Sequence, residues 1–212
     1  DHASGKAVSL PEIKDGDVLS VTISPSEKKL LLTVGSSTSP ANLYLYDIDS
    51  KAIKQLTSTL NPEVDRNDLV QAEVVRFKSF DGLEIPAIYY KPLQADKKNK
   101  VGALVFVHGG PGGQSRVGFS KEIQYCVNHG YAVLAVNNRG SSGYGKSFYK
   151  MDNRDHSNGD LKDCIYGKKW LASQDYIDST AIGIVGGSYG GCMVLGALAF
   201  HPDEFKVGVD LY

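Results

Sequence analysis

The chain has 212 residues, of which 42% are hydrophobic and 22% are charged. This composition is typical of a globular protein and excludes a disordered chain or a fibrous repeat. The 23 Lys and Arg residues against 24 Asp and Glu leave a net charge of −1. A binder of nucleic acids or membrane surfaces needs a basic excess to meet phosphates, so both classes are disfavoured. The longest apolar runs, such as Val101 to Val107, are too short to span a bilayer.

The cysteines and the first residues of the chain indicate the cellular compartment. Cys126, Cys164 and Cys192 lie far apart beside apolar neighbours, which favours buried free thiols over a disulfide framework. Residues 1–6 show no apolar stretch after a basic start, so no signal peptide is visible. We therefore favour the cytoplasm and leave the periplasm open, because the sequence need not begin at a natural start.

The first part of the chain predicts a small antiparallel meander. Four short strands, bounded by turn residues, are expected at residues 17–23, 29–34, 42–47 and 52–56. A meander of this size equals one propeller blade, which cannot bury both faces alone because blades stack on one another. It is therefore either a piece of a larger propeller or a small sheet packed on its neighbour. A polar segment containing Pro62 places the domain boundary between residues 62 and 63.

The rest of the chain predicts an α/β fold. A hairpin is expected around Asp81-Gly82, a dipeptide that favours tight turns. Continuous apolar strands, which indicate a parallel sheet buried on both faces, are expected at residues 101–107, 131–136, 181–185 and 207–211. Helices are expected after Ser120, from about Asp160, and from Gly191 to Phe200. Strand and helix alternate, as in α/β proteins.

The segment Gly186-Gly187-Ser188-Tyr189-Gly190 matches the nucleophile elbow G-x-S-x-G. It leaves a buried strand and opens an apolar helix, which is the setting in which the elbow works. The sharp turn strains Ser188, so the residues two positions away must lack side chains, as Gly186 and Gly190 do. Ser188 is the predicted nucleophile, and an ordinary glycine-rich turn is the alternative.

A second glycine-rich segment, His108-Gly109-Gly110-Pro111-Gly112-Gly113, follows the strand that ends at Val107. Its glycines free backbone N–H groups for an oxyanion hole, whose other donor would be the N–H of Tyr189. A flexible loop without a chemical role is the alternative. His108 is expected to brace this loop rather than transfer protons.

No cofactor or metal site is predicted, because the five histidines are scattered and no HExxH pattern is present. Of these histidines, only His156 has the freedom to approach Ser188, and no carboxylate is obviously placed to orient it. The segment Gly140 to Ser147 fits the Walker A pattern of phosphate-binding loops. Residues 152–160 contain no apolar residue, however, so a helix continuing there would have nothing to bury.

Three segments together resemble the prolyl oligopeptidase family of serine peptidases, in particular its dipeptidyl- and acylaminoacyl-peptidase branch. They are His108-Gly109-Gly110-Pro111, residues 137–145 and residues 186–191. In that family a β-propeller precedes an α/β-hydrolase domain. The resemblance therefore implies that residues 1–62 are the last propeller blade, a four-stranded antiparallel one. It also implies that residues 63–212 are the first part of an incomplete α/β-hydrolase fold without its C-terminal strands.

The same resemblance implies that Gly110 supplies the second oxyanion donor. The catalytic Asp and His of the family lie on loops after strands that would follow Tyr212, so neither is expected in this chain. The sequence is thus expected to be an internal fragment that is inactive by itself.

Four functions remain open at this point. The favoured one is a serine peptidase that hydrolyses short peptides through an acyl-enzyme on Ser188, because a stacked propeller can screen substrates by size. A carboxylesterase on the same fold, a P-loop nucleotide binder and a non-catalytic interaction protein are the others. The sequence does not determine which substrate side chain is preferred next to the cleaved bond. It also leaves open whether the protein forms a homo-oligomer.

Overall fold

A computed structural model describes Gly5, Glu12, Ile13 and residues 16–212. The chain divides into two compact units. The first comprises the chain up to Arg66 together with residues 118–120, and the second comprises residues 67–117 and 121–212. Within the described residues, no helix combines the length and the apolar character that a membrane crossing requires.

The first unit contains one four-stranded sheet. Its strands are β1 (Asp17–Ile23), β2 (Lys29–Gly35), β3 (Asn42–Asp47) and β4 (Ile53–Gln55). They pair in chain order and each pair is antiparallel, as predicted. Alternate side chains on β2 and β3 are buried, including Leu32 and Tyr44, whereas every residue of β1 is exposed. The sheet is open, so the meander is confirmed but a propeller is not established.

The second unit contains a six-stranded mixed sheet. Its strands are β5 (Ala72–Lys78), β6 (Glu84–Tyr90), β7 (Val101–Val107), β8 (Ala132–Val136), β9 (Ile177–Gly186) and β10 (Gly208–Asp210). Their order is β10-β9-β7-β8-β6-β5. Strands β7 to β10 pair in parallel, while β5 and β6 form an antiparallel hairpin that joins β8. The predicted α/β architecture and the predicted hairpin are confirmed.

Four α-helices belong to this unit, and a 3-10 turn spans Arg66–Asp68. The helices are α1 (Lys121–Asn128), α2 (Lys146–Tyr149), α3 (Gly159–Ala172) and α4 (Tyr189–Phe200). The three longer helices lie where they were predicted, although α4 begins two residues earlier than expected. Helix α2 was not predicted because four residues are too few to carry a periodic pattern.

Burial of the parallel strands differs from the prediction in one respect. All five residues of β8 are buried, but β7 alternates between buried residues and half-buried ones such as Leu104 and Phe106. These half-buried side chains line an open apolar groove of about 670 Å³, to which Val209 and Leu211 also contribute. One face of the sheet near β7 is therefore fully covered and the other is not.

The prediction of three buried free thiols is wrong for two cysteines. All three are free, but Cys164 alone is buried, Cys126 is half-buried and Cys192 is exposed. Cys192 lies on α4, whose residues are apolar on every side, so no polar stripe marked the face that points outward.

Candidate active site

Ser188 lies at a strained turn between β9 and α4. Its backbone has φ of 56° and ψ of −122°, a conformation that favours glycine, and the residue is exposed. A Cβ added to Gly186 would lie 2.5 Å from the carbonyl oxygen of Gly190, and one added to Gly190 would lie 2.3 Å from the carbonyl oxygen of Val107. Both positions therefore require glycine, and the backbone has the shape expected of a nucleophile elbow.

The end of the chain holds this turn in place. The N–H of Ser188 donates to the carbonyl of Tyr212 at 2.7 Å, and the N–H of Leu211 donates to the carbonyl of Gly186 at 2.9 Å. Leu211 and Tyr212, which follow β10, thus continue its pairing with β9 and fix the backbone of the elbow.

The glycine-rich loop after β7 lies directly against the elbow. A Cβ added to Gly109 would be 3.3 Å from the Cβ of Ser188 and 3.7 Å from its Oγ. Gly110 has φ of +132°, and a side chain there would lie 2.4 Å from the nitrogen of Gly113. The loop and the elbow therefore meet at the carboxyl edge of the parallel strands, where open α/β sheets bind ligands.

Two backbone donors at this edge have no acceptor. Among residues 16–212, neither the N–H of Tyr189 nor that of Gly110 donates a hydrogen bond. Tyr189 is the first residue of α4, so its N–H has no carbonyl within the helix and carries the positive end of the helix dipole. Unpaired donors beside an exposed hydroxyl are what an oxyanion hole requires.

His108 braces the loop, as predicted. Its Nδ1 donates to the carbonyl of Gly109 at 2.9 Å, and its Nε2 lies 2.8 Å from the Oγ of Ser141. Burial lowers the pKa of His108, against a smaller opposing effect of the Gly109 hydrogen bond. Both ring nitrogens are engaged, so neither is available to Ser188.

The loop after β8 is fixed by a buried guanidinium. Arg139 donates from Nε and Nη2 to Asp163 at 3.0 and 2.9 Å, and from Nη1 and Nη2 to Asp81 at 3.0 and 3.1 Å. Hydrogen bonds from Arg139 hold the pKa of Asp81 below its usual range. Arg139 thereby joins this loop to helix α3 through Asp163 and to the β5–β6 turn through Asp81.

Comparisons with known proteins agree with this geometry. Residues 117–211 match the prolyl oligopeptidase family. The chain is 32% identical over 208 residues to dipeptidyl aminopeptidase BIII of Pseudoxanthomonas mexicana, an alignment that covers 95% of this chain and 30% of the relative.

The chain belongs to the prolyl oligopeptidase family.

Solved structures of this family superpose on the chain. The Pyrococcus horikoshii acylaminoacyl peptidase is 30% identical with a TM-score of 0.74, and the alignment covers 98% of this chain and 32% of that one. A puromycin-hydrolyzing peptidase of Mycobacterium tuberculosis is 26% identical with a TM-score of 0.78, over 86% of this chain and 29% of that one. The chain thus spans about 30% of the length of the relatives that it matches.

Within this prolyl oligopeptidase family member, the segment that resembles a Walker A loop lacks the required helix. Helix α2 follows Gly145, consists of a single turn and buries none of its residues. The N–H of Gly140 donates to the carbonyl of Phe148 at 3.0 Å rather than facing an open cradle. This geometry does not support phosphate binding by the segment.

Sequence reasoning missed a polar cluster beneath the elbow. The hydroxyl of Tyr189 donates to Oδ2 of Asp160 at 2.5 Å, and the N–H of Ser157 donates to the same hydroxyl at 3.1 Å. The ring of His156 contacts that of Tyr189 edge to face, with centroids 5.4 Å apart. Tyr189 and Asp160 are 29 positions apart, so no local pattern could have paired them.

One expectation about His156 is corrected. A carboxylate does face it, because Oδ2 of Asp152 lies 3.6 Å from its Nδ1. One carboxylate oxygen each from Asp152 and Asp160 and one ring nitrogen of His156, the atoms that could bind a metal ion, lie within 4.8 Å of one another. Asp160 already accepts three hydrogen bonds through its carboxylate, from the N–H groups of Asn158 and Leu161 and from Tyr189. We therefore assign no metal to this cluster.

Proposed function

We propose that the intact protein is a serine peptidase that hydrolyses short peptides through an acyl-enzyme on Ser188. The observation that carries this proposal is the strained, exposed Ser188 at the end of β9, with Gly109 so close that an added Cβ would lie 3.3 Å from the Cβ of Ser188. The relatives are named dipeptidyl and acylaminoacyl peptidases, which supports peptides as the substrate class.

The proposed chemistry follows from the groups at this edge. Oγ of Ser188 attacks the carbonyl carbon of the scissile bond while a histidine accepts the hydroxyl proton. The N–H groups of Tyr189 and Gly110 stabilise the oxyanion of the tetrahedral intermediate. The amine then leaves with a proton from the histidine, and water hydrolyses the remaining ester. Loss of one such oxyanion donor typically slows an enzyme of this kind by about 100- to 1000-fold.

The general base is proposed to lie elsewhere in the intact protein. Within residues 16–212, no histidine makes a hydrogen bond to Oγ of Ser188. His108 is bound in its loop, His129 bonds to Tyr125 and His156 faces Asp152. The fourth, His201, follows the end of α4 opposite to Ser188. The chain spans about 30% of its relatives, which leaves room for a histidine and its orienting carboxylate outside these residues.

The first unit is proposed to be the last blade of a β-propeller, spanning residues 1–62. Strand β1 supports this because its apolar side chains Val18, Leu19, Val21 and Ile23 are 43 to 58% exposed. Stacking on an adjacent blade would bury such a face. A stacked propeller can screen substrates by size, which favours short peptides.

A fluorophosphonate probe on the intact protein tests the nucleophile. We expect the wild type to be labelled and Ser188→Ala to lose both labelling and peptide hydrolysis without loss of thermal stability. Ser179→Ala is the matched control, because Ser179 is also exposed but lies towards the other end of β9. Labelling and turnover that persist in Ser188→Ala would eliminate Ser188 as the nucleophile.

A carboxylesterase on the same fold is the second candidate, because an elbow and an oxyanion hole serve esters and amides alike. Hydrolysis of a dipeptidyl anilide can be compared with that of a simple acyl ester of similar size. Preference for the anilide supports the peptidase, whereas hydrolysis of the ester alone would favour the esterase.

A further inference from the structure

We propose that Asp160 is a positioning residue for the oxyanion hole, acting through the hydroxyl of Tyr189 to fix the backbone N–H of the same residue. The inference deepens the proposed function and rests on it, because Tyr189 supplies an oxyanion donor only if Ser188 is the nucleophile. Asp160 itself is not expected to touch the substrate.

Tyr189 carries two separate functions on one Cα. Its N–H is unpaired at the start of α4, whereas the hydroxyl of its side chain makes two hydrogen bonds. The hydroxyl donates to Oδ2 of Asp160 and accepts from the N–H of Ser157, so its position is fixed by both roles. A tyrosine side chain has only two soft torsions, so anchoring its hydroxyl restrains the Cα to which the N–H is attached.

Asp160 is held rigidly enough to serve as that anchor. It is fully buried, and its Oδ1 accepts from the N–H groups of Asn158 at 3.0 Å and Leu161 at 2.8 Å. These groups belong to the start of α3, where the helix dipole favours a negative charge. The carboxylate therefore joins the first turn of α3 to the first residue of α4.

Burial of a carboxylate needs a reason, because removing its charge from water is costly and an apolar residue would fill the space at lower cost. Capping of α3 uses Oδ1, whereas Oδ2 is directed to Tyr189. Burial and the Asp160 hydrogen bond raise the pKa of Tyr189 still further above neutral pH, where the phenol is a donor in any case. The second oxygen thus has a distinct role that a cap alone does not explain.

The elbow has a particular need for such an anchor. Ser188 is in a strained conformation, and the first turn of α4 is otherwise restrained by backbone bonds from Gly190 to Gly187 and from Cys192 to Ser188. A shift of about 1 Å in a catalytic group can cost about 100-fold in rate. An unanchored Tyr189 would let its N–H move away from the developing oxyanion.

The test uses single and double variants of the intact protein with a peptide anilide. We expect Tyr189→Phe to lower kcat by about 10- to 100-fold, with KM changed less than about 3-fold, because the hydroxyl acts on the transition state alone. Asp160→Ala should cause a similar loss. Asp160→Asn should lose activity as well but less stability, because its single amide oxygen accepts from the N–H groups of Asn158 and Leu161 and its NH2 then faces the hydroxyl, which can no longer donate to it. The variant carrying both Tyr189→Phe and Asp160→Ala should be no slower than the slower single variant.

Two further measurements separate positioning from a structural role. A peptide aldehyde places its oxygen in the same hole after addition of Ser188 Oγ, so its Ki should rise in parallel with the loss in kcat. Tyr166→Phe is the matched control: Tyr166 is a half-buried tyrosine of α3, and within the described residues its hydroxyl makes no hydrogen bond. It should leave kcat, KM and Ki unchanged.

The outcomes are distinguishable. If wild-type turnover depends on Ser188 but Tyr189→Phe keeps its kcat and its Ki for the aldehyde, the positioning role is wrong and Asp160 merely caps α3. Additive losses in the double variant would likewise overturn it. If the wild type shows no turnover that depends on Ser188, the proposed function and this inference both fail.

Discussion

Replacement of Gly190 by alanine tests the geometry of the elbow most directly. The added Cβ would lie 2.3 Å from the carbonyl oxygen of Val107 and 3.2 Å from that of His108. An ordinary carbon–oxygen contact is about 1 Å longer than the first of these, in line with carbon contact distances of roughly 3.5 Å. Both oxygens belong to the backbone at and just after the end of β7, so they cannot rotate away as a side chain could. Helix α4 or the glycine-rich loop must therefore move.

The magnitude follows from that displacement. A shift of about 1 Å at a catalytic group costs about 100-fold, so we expect Gly190→Ala to lower kcat/KM by at least about that factor. Overpacking of this kind also destabilises a fold by about 1–3 kcal/mol. Gly109→Ala should lose less activity, because its nearest contacts, at 3.3 Å, are short by only a few tenths of an ångström.

The assay is hydrolysis of a peptide anilide by the intact protein, with urea denaturation measured in parallel. Gly118→Ala is the control, because nothing lies within 4 Å of a Cβ placed there. If Gly190→Ala were as active as Gly118→Ala, the close approach of α4 to the end of β7 would be wrong, and with it the shape of the proposed site.

Three other predictions follow from the network and the site. Arg139→Met leaves the buried carboxylate of Asp163 without its positively charged partner, so we expect the free energy of unfolding, measured in urea, to fall by about 3–5 kcal/mol. Arg139 lowers the pKa of Asp81, so the stability that Asp81 contributes is present above pH 3.8 and is lost as the pH falls from there through the folded pKa. Asp81→Asn should therefore flatten the acid limb of a stability–pH curve, and an unchanged limb would refute the assignment. Residues 1–212 alone should hydrolyse no peptide anilide above a Ser188→Ala background, with circular dichroism to establish that the polypeptide is folded.

The elements that sequence predicted well are those whose pattern is local. The apolar run of β7, the turn at Asp81-Gly82 and the elbow at Ser188 each carry their information within a few residues, and each lies where it was expected. Buried strands and glycine-dependent turns have few alternatives, because the backbone conformation itself excludes most other residues.

The features that sequence could not predict depend on residues far apart in the chain, or on helices and strands whose two faces do not differ in polarity. Asp160 meets Tyr189 only because α3 and α4 pack on the same sheet, and nothing near either residue indicates the other. Cys192 lies on a helix that is apolar all round, so periodicity could not distinguish its outer face. The half-buried face of β7 was unpredictable for the same reason, because its run of apolar residues looks alike on both sides.

The Arg139 network also has a consequence for the order in which the protein folds. Its guanidinium binds carboxylates 58 positions earlier and 24 positions later in the chain. Closing such long loops costs chain entropy before any contact forms, so the β8 loop is expected to become ordered only after the hairpin and α3 have docked. Amides of residues 139–145 should then gain protection late in pulsed hydrogen exchange, after those of β7 and β8. The loop beside the candidate active site would become ordered only in a chain whose sheet is already assembled.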